Sequence, residues 1–99
     1  MSSQRRVVIT GIGAVSPLGL SAEESWQGAI NGRSGVAPIT HFDASELEVK
    51  IAAEVKNFNA EDYIEAKEVR RRDRFEQLAS AATKEAIEMS GLEFTSALV

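Results

Sequence analysis

Arg5-Arg6-Val7-Val8-Ile9-Thr10-Gly11-Ile12-Gly13-Ala14-Val15-Ser16-Pro17-Leu18-Gly19 is the stretch on which the fold turns. A β-branched run bounded by glycine reads as a short strand buried on both faces, the kind a parallel sheet requires, so Val7–Thr10 is expected to be a central strand. Gly11 and Gly13 then make a turn, and Ser16-Pro17 keeps the chain from entering a helix at once. A strand followed by a glycine-spaced turn opens an α/β layer.

Working outward, Ser21-Ala22-Glu23-Glu24 has the form of a capping box, so a helix is expected from about Ala22 to Ile30, stopped by Asn31-Gly32. Trp26, Ala29 and Ile30 would be its buried stripe. Arg33–Leu47 reads as an irregular connection with room for a short strand. Val49–Val55 alternates, with Val49, Ile51, Ala53 and Val55 on one face and Lys50, Ala52 and Glu54 on the other, the pattern of an edge or hairpin strand. Asn59 is placed to cap a helical turn over Ala60–Ala66. A long helix is expected from about Arg71 to Ser90, terminated by Gly91, with Phe75, Leu78, Ala79, Ala82, Ala86 and Met89 on one face. The alanines of that face admit a close neighbour.

The 99 residues, 43% hydrophobic and 26% charged, fit one soluble unit with a modest core. No apolar run nears the roughly 18 residues of a membrane span, and residues 1–6 lack the apolar region of a signal peptide, so a cytoplasmic location is expected. With no cysteine and one histidine, the chain offers no thiolate nucleophile, disulfide or multi-histidine metal site. A buried strand and an alanine-faced helix need covering layers that so few residues cannot supply, which reads as one incomplete domain over residues 1–99.

The glycine turn invites a dinucleotide reading. Ser16 replaces the third glycine of that fingerprint, however, and no second strand with an acidic end follows at the required distance. Backbone conformation and tight packing are the expected roles, and no cofactor is implied. His41, in Thr40-His41-Phe42-Asp43, has no nucleophile to serve and reads as a structural histidine bonding local backbone. Glu61, Asp62, Glu85 and Glu88 read as solvated carboxylates or helix-dipole complements without chemistry.

The net charge of −4 is uneven: Lys67–Arg74 holds five cations against two carboxylates, a local +3 that leaves −7 on the remainder. In helical form Lys67, Arg70, Arg71 and Arg74 would share one face, a patch able to grip phosphate or an acidic protein surface. Internal pairing, such as Asp73 with Arg70, is the alternative. The cluster has no interleaved aromatics and the chain is acidic, so nucleic acid is not the expected partner.

The opening motif, Asn31-Gly32-Arg33-Ser34-Gly35-Val36, His41-Phe42-Asp43 and Arg71-Arg72-Asp73-Arg74-Phe75 occur in an order and spacing that resemble the start of the β-ketoacyl-acyl carrier protein synthases. The resemblance runs from about Arg5 to Gly91 and is strongest to the second, elongating type of bacterial fatty acid synthesis. It implies a thiolase-like five-layered α/β/α/β/α fold of two similar halves, with this chain opening the first.

It also implies a homodimeric enzyme that condenses malonyl-acyl carrier protein with an acyl chain held on a cysteine, assisted by two histidines. All of those groups would lie past Val99, and His41 matches a non-catalytic position. The same resemblance makes Lys67, Arg70 and Arg71 the docking residues for the acidic acyl carrier protein, with Arg72 and Arg74 second to them and one of the two bracing the helix through Asp73. The other readings are a non-catalytic module binding an acidic partner, and a ketosynthase of a polyketide pathway.

Overall fold

In the computed structural model, which describes residues 4–95, the first helix, α1 (Ala22–Ile30), starts where Ser21 stops the extended chain. The Ser21 hydroxyl accepts the Glu24 amide at 3.1 Å. The Glu24 carboxylate reaches back one residue beyond the expected partner, accepting from the Leu20 amide at 2.8 Å. At the other end Arg33 N bonds Gly28 O and Gly32 N bonds Ala29 O, a crossed pair of turns that needs the left-handed φ of 68° at Gly32.

Strands β1 (Val36–Pro38) and β2 (Ile51–Ala53) pair antiparallel, with Val36 opposite Ala53 and Pro38 opposite Ile51. Pro38 has no amide to give, and pairing resumes with Ile39 N to Lys50 O at 2.9 Å. The alternation read from Val49–Val55 therefore forms a hairpin strand. Its apolar face is nevertheless the open one, since Ile51 is exposed while Glu54 is half-buried. A 3-10 turn (Ala60–Asp62), capped by the Asn59 side chain, leads to the short helix α2 (Ala66–Val69) and then to α3 (Arg74–Ser90).

The long helix begins at Arg74, not Arg71. Asp73, with extended ψ of 162°, occupies the N-cap, and Arg70 to Arg72 form the corner between α2 and α3. A run of cations at a helix N-terminus would oppose the positive end of the helix dipole, so the start falls after it. Gly91, with φ of 68°, ends α3 as expected.

Val7–Thr10 forms no strand among the described residues, with Val7 92% and Ile9 85% exposed, as a buried-type strand without its covering layers would be. One other expectation is overturned. The helix α1 turns its narrow side inward: Ala22, Ser25 and Gly28 are covered or half-covered, while Trp26, Ala29 and Ile30 are exposed. Gly28 meets Leu18, and the Ser25 and Ser16 hydroxyls are 2.7 Å apart. A bulky residue at position 28 would collide with Leu18, so the small face is the only one that fits this neighbour. The stripe expected on α3 divides likewise, with Phe75, Ala79 and Met89 exposed and Leu78, Ala82 and Ala86 half-buried.

The buried apolar residues are Ala44, Ala60 and Ala81 among the described residues, all small. The radius of gyration of 17.9 Å exceeds the roughly 13 Å of a compact unit of this length. These elements are joined by backbone approach and polar bonds, with little core of their own. The tightest approach is the glycine turn against α3: a Cβ on Gly13 would lie 1.8 Å from Ala82 O, and one on Gly11 would lie 2.1 Å from Ala86 O. Neither glycine has a positive φ, so close approach is what excludes a side chain.

Gly13→Ala should therefore separate the turn from α3 and lower stability by at least about 1–3 kcal/mol, because the obstructing atom is backbone and no rotamer change relieves it. Denaturant unfolding of the full-length protein measures this. A midpoint unchanged by the substitution would contradict the contact.

Candidate functional site

The cations of Lys67–Arg74 divide into two kinds. Lys67 lies on α2, Arg70 is its C-cap and still right-handed (φ −69°, ψ −18°), and Arg71 N bonds Glu68 O at 3.0 Å. The helical winding thus persists to Arg71, and spacings of three and four residues keep Lys67, Arg70 and Arg71 on one side of the corner. All three are exposed, and their side chains make no hydrogen bond or ion pair among the described residues.

Arg72 and Arg74 are committed elsewhere. Arg72 Nη1 donates to Ser80 Oγ at 3.0 Å, and its Nε stands 3.6 Å from Glu68 Oε2. The Arg74 guanidinium lies 5.2 Å from the centre of the Phe58 ring, which stacks on Tyr63 at 5.5 Å, and its Nη2 reaches Val55 O at 3.5 Å. Bracing through Asp73 is not what happens: among the described residues Asp73 pairs with neither Arg72, Arg74 nor Arg70. Nor does Arg74 share a continuous helical face with Lys67, because the corner intervenes.

Two amides of the glycine turn are engaged by side chains of α3. Glu85 Oε1 accepts from Ala14 N at 2.9 Å and from Ala22 N at 3.0 Å, and Glu85 Oε2 lies 3.1 Å from Ala22 N. Ile12 N points to Met89 Sδ at 3.4 Å. A phosphate at the Ala14 amide would have to displace this carboxylate. Glu85 is also not the solvated surface group expected: half-buried, it ties α3 to the glycine turn and to the first turn of α1. The signal for it was an acid beside the alanines that the glycines approach.

His41 also departs from expectation. Its ring Nδ1 is 3.5 Å from Glu54 Oε2, and the same carboxylate accepts from the amides of Thr40 and His41 and from the Thr40 hydroxyl. The partner is a side chain across the hairpin, not local backbone. Desolvation pushes the Glu54 carboxyl up, but the bonds from Thr40 and His41, with the charge of His41, outweigh it and hold the group below its ordinary 4.5.

A concavity of about 630 Å³ lies between the glycine turn, α1 and Lys56–Asn57. Its polar groups are occupied: Lys56 Nζ donates to Gly35 O at 2.9 Å, Arg33 Nη2 to Leu18 O at 3.4 Å, and Glu24 serves the α1 cap. Of the five cations of Lys67–Arg74, Lys67, Arg70 and Arg71 remain unengaged among the described residues. Among the described residues no cluster of three metal-ligating side chains occurs, and no helix is long and apolar enough to cross a membrane.

A family model described as beta-ketoacyl synthase, N-terminal domain, matches residues 4–98. The chain is 46% identical over 93 residues to 3-oxoacyl-acyl-carrier-protein synthase 2 of Staphylococcus aureus (strain COL), covering 94% of the chain and 22% of that relative. It is 49% identical over 90 residues to the protein of the same name from Coxiella burnetii (strain RSA 493 / Nine Mile phase I), covering 91% and 22%. Among solved structures, the ishigamide ketosynthase/chain length factor superposes with a TM-score of 0.83 at 37% identity, over 92% of this chain and 23% of that one. The chain thus spans about a fifth of the length of the relatives it matches.

Replacing Glu85 by Gln leaves one acceptor and turns an amide donor toward donors. The change should lower stability by about 1.5–3 kcal/mol, read as a shifted denaturant midpoint. A loss confined to a few tenths would show that water replaces the carboxylate.

For Glu54 the depressed folded pKa means that its contribution is fully present above the unfolded value and disappears as pH falls through the folded one. Amide protection at Thr40 and His41, taken relative to the intrinsic exchange rate at each pH, should fall as pH drops below the group's ordinary 4.5. In Glu54→Gln that protection should be lost already at neutral pH, without the acid dependence.

Proposed function

The chain belongs to the β-ketoacyl synthase family, in its N-terminal domain, and from that membership we propose that it forms the opening of an elongating 3-oxoacyl-acyl carrier protein synthase. In this reading residues 1–99 are one part of a domain whose remaining strands and helices cover the exposed Val7–Thr10 segment and the open faces of α1 and α3. The five-layered arrangement of two similar halves would arise in that way. The bare Val7 and Ile9 side chains support it, since β-branched apolar residues in extended form gain stability only when sheet neighbours bury them.

The reaction is decarboxylative condensation. Loss of carbon dioxide from a malonyl thioester leaves a carbanion, which attacks the carbonyl of an acyl group held on a cysteine; a carbon–carbon bond forms and the thiolate leaves. None of the 99 residues is a cysteine, so the nucleophile and the two histidines of the family mechanism would come from residues other than these, and His41 takes no part. What this chain contributes is the reception of the substrate's carrier. Lys67, Arg70 and Arg71 form the docking surface for the acidic acyl carrier protein, and the observation that carries this is their freedom beside two arginines that are tied down.

The names of the relatives favour an enzyme over a non-catalytic binding module, and fatty acid synthesis over a polyketide pathway. A cytoplasmic homodimer remains part of the proposal.

In the full-length protein, reversing Arg70 or Arg71 to Glu should slow association with acyl carrier protein and reduce its salt dependence. Exposed pairs contribute only about 0–1 kcal/mol each, so one reversal, which also adds repulsion, should weaken binding several-fold to about tenfold. Reversing Lys67 as well should nearly abolish it. Turnover of a small thioester lacking the carrier should be almost unchanged. Equal failure of the folded triple variant on both substrates would refute docking at this corner.

A further inference from the structure

The corner that carries Arg70 and Arg71 is closed by a neutral side chain. Gln77, half-buried on α3, donates from Nε2 to Val69 O and to Arg72 O, each at 3.1 Å. Val69 ends α2 and Arg72 precedes the N-cap of α3, so one amide group grips the backbone on both sides of the two arginines. Its own backbone is fixed by Gln77 N to Asp73 O at 3.1 Å. The Arg72–Ser80 bond adds a second tie to the same end of the corner.

We infer that Gln77 is a positioning residue for docking: by straddling Arg70 and Arg71 it holds their backbone in the conformation that meets the acidic carrier protein. The inference rests on the docking function proposed above for Lys67, Arg70 and Arg71. Its physical basis is pre-organisation. Apart from Gln77, Val69 O receives only the long bond from Arg72 N at 3.4 Å, and Arg72 O has no other donor among the described residues, so without the Gln77 amide the corner samples other conformations that binding must then suppress. Long-range attraction depends on net charge and is indifferent to this. The bound state depends on where the guanidinium groups stand, so a loosened corner shortens the life of the complex without slowing its formation.

Gln77→Met tests this in the full-length protein, because it keeps the length of the side chain, removes the donor and changes no charge. Dissociation of acyl carrier protein should quicken about three- to tenfold, with the association rate and its salt dependence unaltered. KM for carrier-bound malonyl thioester should rise by a similar factor, while kcat and the kinetics of a small carrier-free thioester stay at the wild-type level. Arg70→Glu, measured beside it, should alter association instead.

Unchanged carrier affinity in Gln77→Met, with Arg70→Glu still weakening it, overturns the inference and leaves the docking function standing. No effect from either variant removes both. Equal losses on carrier-bound and carrier-free substrates also overturn it, because the role would then belong to the fold as a whole. Should Gln77→Met not fold, Ser80→Ala, which removes only the tie through Arg72, should quicken dissociation about twofold, and an unchanged rate refutes the proposal.

Discussion

The contact on which the other elements hang is the approach of residues 11–14 to the backbone of α3. Without side chains at Gly11 and Gly13 the turn comes near enough to Ala82 and Ala86 for a carboxylate on the same helix to reach its amides. Glu85 then holds Ala14 and Ala22 together, so the turn, the start of α1 and the middle of α3 share one anchoring group. A half-buried carboxylate is costly to desolvate unless donors surround it, and charge-assisted bonds to backbone amides are among the stronger compensations available. Steric fit and electrostatics are not separable here: a side chain on either glycine would move the amides away from the carboxylate, and loss of the carboxylate would leave the amides unsatisfied against α3.

Local signals were legible where the cause is local. The Ser21 cap, the Asn31-Gly32 stop, the hairpin alternation near Ile51, the Asn59 cap and the Gly91 terminator each depend on the chemistry of a few consecutive residues, and each is found. What failed was inference about facing. Trp26, Ala29 and Ile30 satisfy the helical period yet lie outward, because apolar spacing reports that a face can be buried and not which neighbour buries it. The pairing of Val7–Thr10 was illegible for the same reason. Of the candidate site, the cluster Lys67–Arg74 could be read from the sequence as a charge excess, and the choice of Lys67, Arg70 and Arg71 within it came from the family resemblance. The separation of Arg72 and Arg74 from them could not, since Ser80, Phe58 and the stacked Tyr63 are brought in by tertiary geometry.

The break between α2 and α3 matters more to the site than the helix that was expected through it. On a continuous helix Lys67, Arg70, Arg71 and Arg74 would share one face, each side chain solvated and individually weak. The corner instead sorts them. Arg72 meets Glu68 and Ser80, and Arg74 lies over Phe58, so two guanidinium groups stiffen the junction while the cations that precede them, Lys67, Arg70 and Arg71, stay unengaged. Arginine suits both assignments, through its planar fork of donors and its capacity to stack on aromatic rings.

This sorting separates two quantities that a charge count merges. The field at a distance sums all the charges of Lys67–Arg74, so the committed Arg72 and Arg74 still add to it while Glu68 and Asp73 oppose it, and in the docking proposed above the local net of +3 would govern encounter. At contact, within a Debye length of about 8 Å at physiological salt, a partner's carboxylates would meet individual groups, and of the five cations in the cluster Lys67, Arg70 and Arg71 are unengaged among the described residues. On the proposed reading, encounter would therefore be robust to rearrangement of the corner, whereas the persistence of the complex would depend on its backbone. Such a surface would combine a charge excess, which composition supplies, with a corner tied by the amide of Gln77, which composition does not encode.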